Sequence, residues 1–124
     1  MSASAVDMEL KKAFQELQVQ VIETRNKVKQ IDVQLDGLKR SSQHSKITIQ
    51  ELNGLPDDTK MYESIGRMFV LRDKSTINQL LDQRITGNEE KCQQLMANKS
   101  YNDNKVKESE NNLRELINTK KLTQ

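Results

Sequence analysis

The sequence predicts a mainly α fold, a long antiparallel two-helix coiled coil joined by a single β-hairpin. Three observations predict it. Apolar residues recur by fours and threes through two long segments, the spacing of a coiled-coil seam. The rest of those segments is polar and charged. Between them lies Asn53–Leu71, NGLPDDTKMYESIGRMFVL, the one stretch that does not read as helix; it holds the only proline, Pro56, and two of the four glycines. Two antiparallel helices need only a few residues to connect them, so a connector of this length calls for a purpose.

Composition narrows the classes first. With 124 residues there is room for one domain. Only 34% of residues are hydrophobic and 3% aromatic, whereas 31% are charged, too little apolar material for an ordinary globule. That leaves a disordered chain or an elongated helical one that buries a narrow stripe, to be decided by periodicity. The net charge of +2 comes from nearly balanced acids and bases, so charge implies neither nucleic acid nor membrane. No apolar run approaches a membrane span. Residues 1–9 lack the succession expected of a secretory signal, and the single Cys92 builds no disulfide framework. A reducing cytoplasmic setting is expected, and the Asn98-Lys99-Ser100 triplet is read as chance.

The first helix is expected over about 5–54. Ser4 and Asp7 have capping-box spacing. Phe14, Val21, Val28, Leu35, Ser42 and Ile49 then occupy a positions, and Leu10, Leu17, Thr24, Ile31, Leu38, Ser45 and Leu52 occupy d. At 1.5 Å per residue such a helix is about 70 Å long. Glu23 with Lys27 and Asp36 with Arg40 are acid-to-base pairs at i, i+4, on faces read as solvated. Asn53-Gly54 is expected to end the helix in a left-handed residue, and Pro56 to prevent its resumption.

The second helix is expected over about 74–121, capped by Asp73 or Ser75. Its seam is Leu81, Ile85, Asn88, Cys92, Leu95, Lys99, Asn102, Val106, Ser109, Leu113 and Leu116, with Ile77 flanking. Polar seam residues cost stability and fix register. In the register that best pairs the layers, Phe14 meets Leu116, Leu17 meets Leu113, Leu35 meets Leu95 and Ile49 meets Leu81. Around Asn88–Asn102 the coil is expected to be soft.

Residues 55–72 form the linker and hairpin. Lys60–Ser64 and Arg67–Leu71 read as strands, rich in β-formers. Ile65-Gly66 marks the turn; isoleucine resists positive φ, so a three-residue loop with left-handed Gly66 is expected ahead of a primed two-residue turn. Met68 and Val70 face one way, Phe69 and Leu71 the other, so both faces want burial. A lone hairpin is marginal in water and leaves two edges open. The simplest resolution is that hairpins from several chains join, through Met61, Tyr62, Ile65, Gly66, Met68, Phe69, Val70 and Leu71. The plainer alternative is a hairpin folded back on its own helices.

No catalytic constellation appears, and no enzyme activity, cofactor or metal is expected. His44 is the only histidine and reads as an exposed helical residue; Cys92 reads as a small core hydrophobe. One His and one Cys make no zinc pattern, no Gly-rich phosphate loop occurs, and Tyr62 and Tyr101 form no stacking platform for nucleic acid. The end of the coil away from the hairpin offers a different kind of site. There Val6, Met8, Leu10 and Phe14 face Leu113, Leu116, Ile117 and Leu122. A coil end frays, and fraying exposes flexible apolar side chains. The same residues also serve simply to close the coil, or, for Val6, Met8 and Leu122, belong to terminal disorder.

The stretch Leu55–Asp73, LPDDTKMYESIGRMFVLRD, between two heptad helices resembles the prefoldin β-type subunits. Tyr62, Gly66 and Met68–Leu71 match the family's pattern of a Tyr, a following Gly and an apolar strand, and the N-terminal Val6–Gln18, VDMELKKAFQELQ, is similar to it as well. A single connector hairpin marks the β type, since α-type subunits carry two. The resemblance implies a cytosolic chaperone subunit without ATPase activity. Four β-type and two α-type subunits would form a hexamer with a hairpin platform. Coil tips would hold unfolded clients such as actin and tubulin and pass them to the cytosolic chaperonin. The competing function classes are a structural coiled-coil tether or scaffold, which would need no hairpin, and a basic nucleic-acid-binding coil, which would show a one-signed face where here Lys105 and Lys107 are followed by Glu108 and Glu110.

Overall fold

A computed structural model describes residues 2–122, apart from the side chains of 2–4, 6 and 120–122. The order of elements is α1 (Ser2–Asn53), β1 (Met61–Ile65), β2 (Met68–Arg72) and α2 (Lys74–Leu122). Two long helices with one antiparallel hairpin between them is the architecture that the seams and the connector require.

Burial follows the heptads residue by residue. On α1 the a and d positions from Leu10 to Leu52 are all buried or half-buried, with Val21, Ile31 and Leu35 the most enclosed apolar ones, and Ala13, Asp32, Ser41 and Thr48 are half-buried beside them. On α2 they run from Ile77 through Leu116, and Asn88, Asn102 and Ser109 are buried despite their polarity. A stripe this narrow is what a chain poor in apolar residues can build, because only two positions in seven need to be covered.

The residues fall into two compact units, Gln34–Gln94 and Met1–Val33 with Leu95–Gln124. The hairpin unit packs Leu35, Leu38, Ile49 and Leu52 of α1 with Ile77, Leu81, Ile85 and Cys92 of α2, and buries Met61 of β1. Asn78 Nδ2 donates to Asn53 Oδ1 at 3.3 Å, tying the end of α1 to the start of α2. Lys74 Nζ donates to the Leu55 carbonyl at 3.2 Å and pairs with Asp57 at 3.4 Å, fastening the linker to α2. Ser45 Oγ and Asn88 Nδ2 are buried without a protein partner. His44 is exposed and Cys92 half-buried.

The terminal unit packs Leu10, Phe14, Leu17, Val21, Val28 and Ile31 with Leu95, Val106, Leu113 and Leu116. Its polar seam residues look to their own helices. Thr24 Oγ1 donates to the Gln20 carbonyl at 2.7 Å, and Asn102 Nδ2 donates to the Asn98 carbonyl at 2.9 Å and to Asn98 Oδ1 at 3.0 Å. Lys99 leaves the seam, and its Nζ pairs with Asp32 at 2.7 Å. Arg25 pairs with Glu110. The i, i+4 pairs Glu23–Lys27 and Asp36–Arg40 are not closed; the ion pairs that form in this unit cross between helices.

Three local expectations are corrected, and one choice between two is decided. Helix α1 begins at Ser2 rather than near Ala5, so Ser4 lies inside the helix, and its capping side chain falls outside the described residues. Gly54 does not adopt a left-handed conformation; its N–H donates to the Gln50 carbonyl at 3.3 Å, extending the helical bonding before Pro56 stops it. At the start of α2 the Ile77 N–H donates to the Asp73 carbonyl at 3.0 Å, which makes Asp73 the capping position and puts Ser75 inside the helix. Both strands run one residue later than expected, and Ile65 pairs with Met68, so the loop has two residues, Gly66 and Arg67. Gly66 has φ of 60° and is the only residue with positive φ among the described residues, the pattern of a type II′ turn. A II′ turn needs positive φ only at its first central residue. Isoleucine therefore sits outside the strained position, which removes the objection to a two-residue loop.

Candidate functional site

Two surfaces collect the candidate residues, one in each unit. The register of the hairpin sorts its side chains onto two faces. Met61, Glu63, Ile65, Met68, Val70 and Arg72 share one, because Met61 pairs with Arg72, Glu63 with Val70 and Ile65 with Met68. On this face Met61 is buried, Val70 is half-buried, and Arg72 Nε donates to Glu63 Oε2 at 3.1 Å across the strands. It is the face turned inward to the rest of the hairpin unit.

The opposite face is Tyr62 with Leu71 and Ser64 with Phe69. Nothing among the described residues covers it. Tyr62 is 58% exposed, Phe69 74% and Leu71 58%. At the turn Met68 and Ile65 are also open. An aromatic and aliphatic face on a sheet of only two strands leaves both long edges unpaired. Of the eight residues singled out from sequence, Tyr62, Phe69 and Leu71 lie on this open face, Ile65 and Met68 are exposed at the turn end of the other face, and Gly66 makes the turn. Met61 and Val70 are directed to the chain's own interior.

The second surface lies in the terminal unit. Leu10, Phe14, Leu116 and Ile117 line a groove of about 240 Å³, and Lys11 completes it. Phe14 and Leu116 share this groove as the expected register requires. Leu113 is half-buried in the seam and does not line the groove. Met8 is exposed and stands apart from it, and the side chains of Val6 and Leu122 lie outside the described residues. Lys11 was not legible as a site residue. It sits beside the seam, at the position from which a lysine lays its methylenes along an apolar floor and keeps its ammonium in water. Among the described residues no group of three His, Cys, Asp or Glu could hold a metal ion, and no helix is long and apolar enough to cross a membrane.

An apolar open-edged hairpin between two seamed helices is a distinctive arrangement, and comparison with known proteins finds it again. The family model described as prefoldin subunit matches residues 15–120.

The chain belongs to the prefoldin family.

Among curated relatives, prefoldin subunit 1 of Bos taurus is 49% identical over 116 residues, covering 93% of this chain and 94% of the relative. Prefoldin subunit 1 of Homo sapiens is 46% identical over 115 residues with the same coverage, and that of Arabidopsis thaliana is 37% identical over 105 residues, covering 85% of this chain and 82% of the relative. Among solved structures, the prefoldin beta subunit from Thermococcus strain KS-1 superposes with a TM-score of 0.74 at 20% identity, over 82% of this chain and 90% of that one. That likeness concerns the fold, which is the prefoldin β type. The chain is thus a prefoldin subunit of a co-chaperone family, and its partners include other prefoldin subunits.

Proposed function

We propose that the chain is a β-type subunit of a hetero-hexameric prefoldin that holds unfolded proteins at the ends of its coils. In this reading the assembly surface is the open hairpin face, through Tyr62, Phe69 and Leu71, continued around the exposed turn end by Ile65 and Met68 and shaped by Gly66. Other α-type and β-type subunits complete the sheet. The groove of Leu10, Phe14, Leu116 and Ile117 takes apolar side chains of the client, with Met8, Leu113, Val6 and Leu122 as neighbouring contacts. Clients such as actin and tubulin are then passed to the cytosolic chaperonin without ATP, in the cytoplasm. No membrane or nucleic acid takes part.

The observation that carries this reading is the division of the hairpin into an inward face and a wholly open apolar one. Phe69 and Leu71 gain from burial only if another chain supplies the cover. A free two-stranded sheet also gains backbone hydrogen bonds when its edges pair. A coiled-coil tether would have no use for such a face. The client reading draws on the apolar lining of the groove and on its place beside both helix termini, where few neighbours depend on it.

The experiment is reconstitution. The chain is mixed with purified partner subunits, and the assembly is tested for suppressing aggregation of a denatured client with no nucleotide present. Suppression by the assembly, and not by the isolated chain, is expected. A chain that forms only homodimers and leaves aggregation unchanged would point to the tether.

A further inference from the structure

The terminal unit has an asymmetric seam. From Val21 to Ile31, α1 presents Val21, Thr24, Val28 and Ile31, of which only Thr24 is polar. The facing stretch of α2 presents Lys99, Asn102, Val106 and Ser109, of which only Val106 is apolar. The buried polar groups do not bind across the seam. Thr24 is satisfied by Gln20, and Asn102 by Asn98, each one turn back on its own helix. Separating the helices here therefore breaks none of those hydrogen bonds, and leaves no buried donor stranded.

What joins the two helices across this stretch is charge. Arg25 pairs with Glu110, and Asp32 with Lys99. Arg25 and Asp32 stand seven residues apart at the same heptad position, so both pairs close the same rim, about 10 Å apart along the helix. The other rim carries Lys27 and Lys105, both exposed and neither ion-paired. The side chains of the two closing pairs are 36% to 60% exposed. Exposed pairs are screened by salt, over a Debye length of about 10 Å at 0.1 M and about 3 Å at 1 M.

We propose that the Arg25–Glu110 and Asp32–Lys99 pairs form an electrostatic latch, whose release opens the seam and offers Val21, Val28 and Ile31 to aliphatic side chains of a bound unfolded chain. The strip lies in the same unit as the groove of Leu10, Phe14, Leu116 and Ile117, so release enlarges an apolar surface that begins there. The latch rests on the client-holding reading given above. It adds that holding capacity is set by ionic strength and by the four charged residues, none of which touches the groove.

Hydrogen exchange of the assembled hexamer, without client, tests the latch directly. Raising salt from about 0.05 M to about 0.5 M should speed exchange in peptides covering 21–31 and 99–109 by about fivefold, the loss expected of two exposed pairs. Hairpin peptides covering 61–72 should not change. The double variant Arg25→Gln with Asp32→Asn should exchange at the fast rate already at low salt, and salt should no longer matter. Charge reversal, Arg25→Glu with Glu110→Arg, should restore slow exchange, which a merely structural role of Arg25 would not allow. In parallel, suppression of client aggregation at low salt should rise in the double variant. Salt-independent exchange in the wild-type assembly would overturn the latch. So would opening without any gain in client holding, which would leave holding at the groove as it stood. An assembly with no holding at any salt would instead overturn the client reading itself.

Discussion

Phe69 offers a test in which assembly and folding are expected to part. Its ring is 74% exposed on the open hairpin face, so the isolated chain gains little from it. Fully burying a Phe side chain is worth about 1.5–3 kcal/mol, and about three-quarters of that is still to be gained on assembly. Phe69→Ala should therefore weaken each hairpin contact by about 1–2 kcal/mol, or about five- to thirtyfold in affinity. Phe69→Asp should do more, because a carboxylate would have to leave water when the face is covered. Neither change should alter the helices. Circular dichroism and thermal melting of the isolated chain should match wild type, whereas sedimentation with partner subunits should show the hexamer depleted. A melting point lowered in the isolated chain with normal assembly would refute the reasoning, since it would mean that Phe69 is covered by its own chain.

Leu35→Ala should destabilise the coil by about 2–4 kcal/mol, because Leu35 is 7% exposed in the seam, and urea unfolding will read it. Ser45→Ala should instead raise stability by about 1 kcal/mol in the same assay, since its hydroxyl is buried without a protein partner. Met8→Ser with Ile117→Ser should leave assembly intact and weaken suppression of client aggregation, because both side chains are exposed and carry little of the seam. For pH, the hydrogen bond from Lys99 to Asp32, and then the attraction of that carboxylate, raise the ammonium of Lys99 above its ordinary 10.5. The pair's contribution is therefore complete below that value and is lost only as pH climbs through the higher one in the folded chain, so exchange over 99–109 should be flat from about pH 7 to about pH 9 after correction for intrinsic rates.

Much of the fold was legible because a coiled coil is nearly one-dimensional. Whether Val21 or Thr24 is buried depends on its place in a repeat, and the repeat is written in the sequence. Features decided by geometry were harder to see. The turn was misjudged because Ile65 before Gly66 looked like an obstacle, whereas pairing Ile65 with Met68 puts the isoleucine in the strand. The end of α1 was legible but the conformation of Gly54 was not, because a glycine there signals a left-handed cap, and here the helical hydrogen bond to Gln50 and the following Pro56 suffice. The candidate sites were legible in outline, through Phe69, Leu71, Phe14 and Leu116. That Met61 turns inward while Tyr62 turns outward follows from alternation, but which face is inward depends on how the hairpin meets the helices. Lys11 at the groove and the pairing of Lys99 with Asp32 depend on side-chain reach, which heptad letters do not encode.

The central claim is that this chain works as one member of a mixed six-subunit assembly built through its hairpin. Native mass spectrometry of the complex isolated from cells through a tag on this chain tests it most directly. The account predicts a single particle of six subunits, containing unlike partners, and its disappearance when the tagged chain carries Phe69→Asp. A homodimer of the chain in both cases would contradict it.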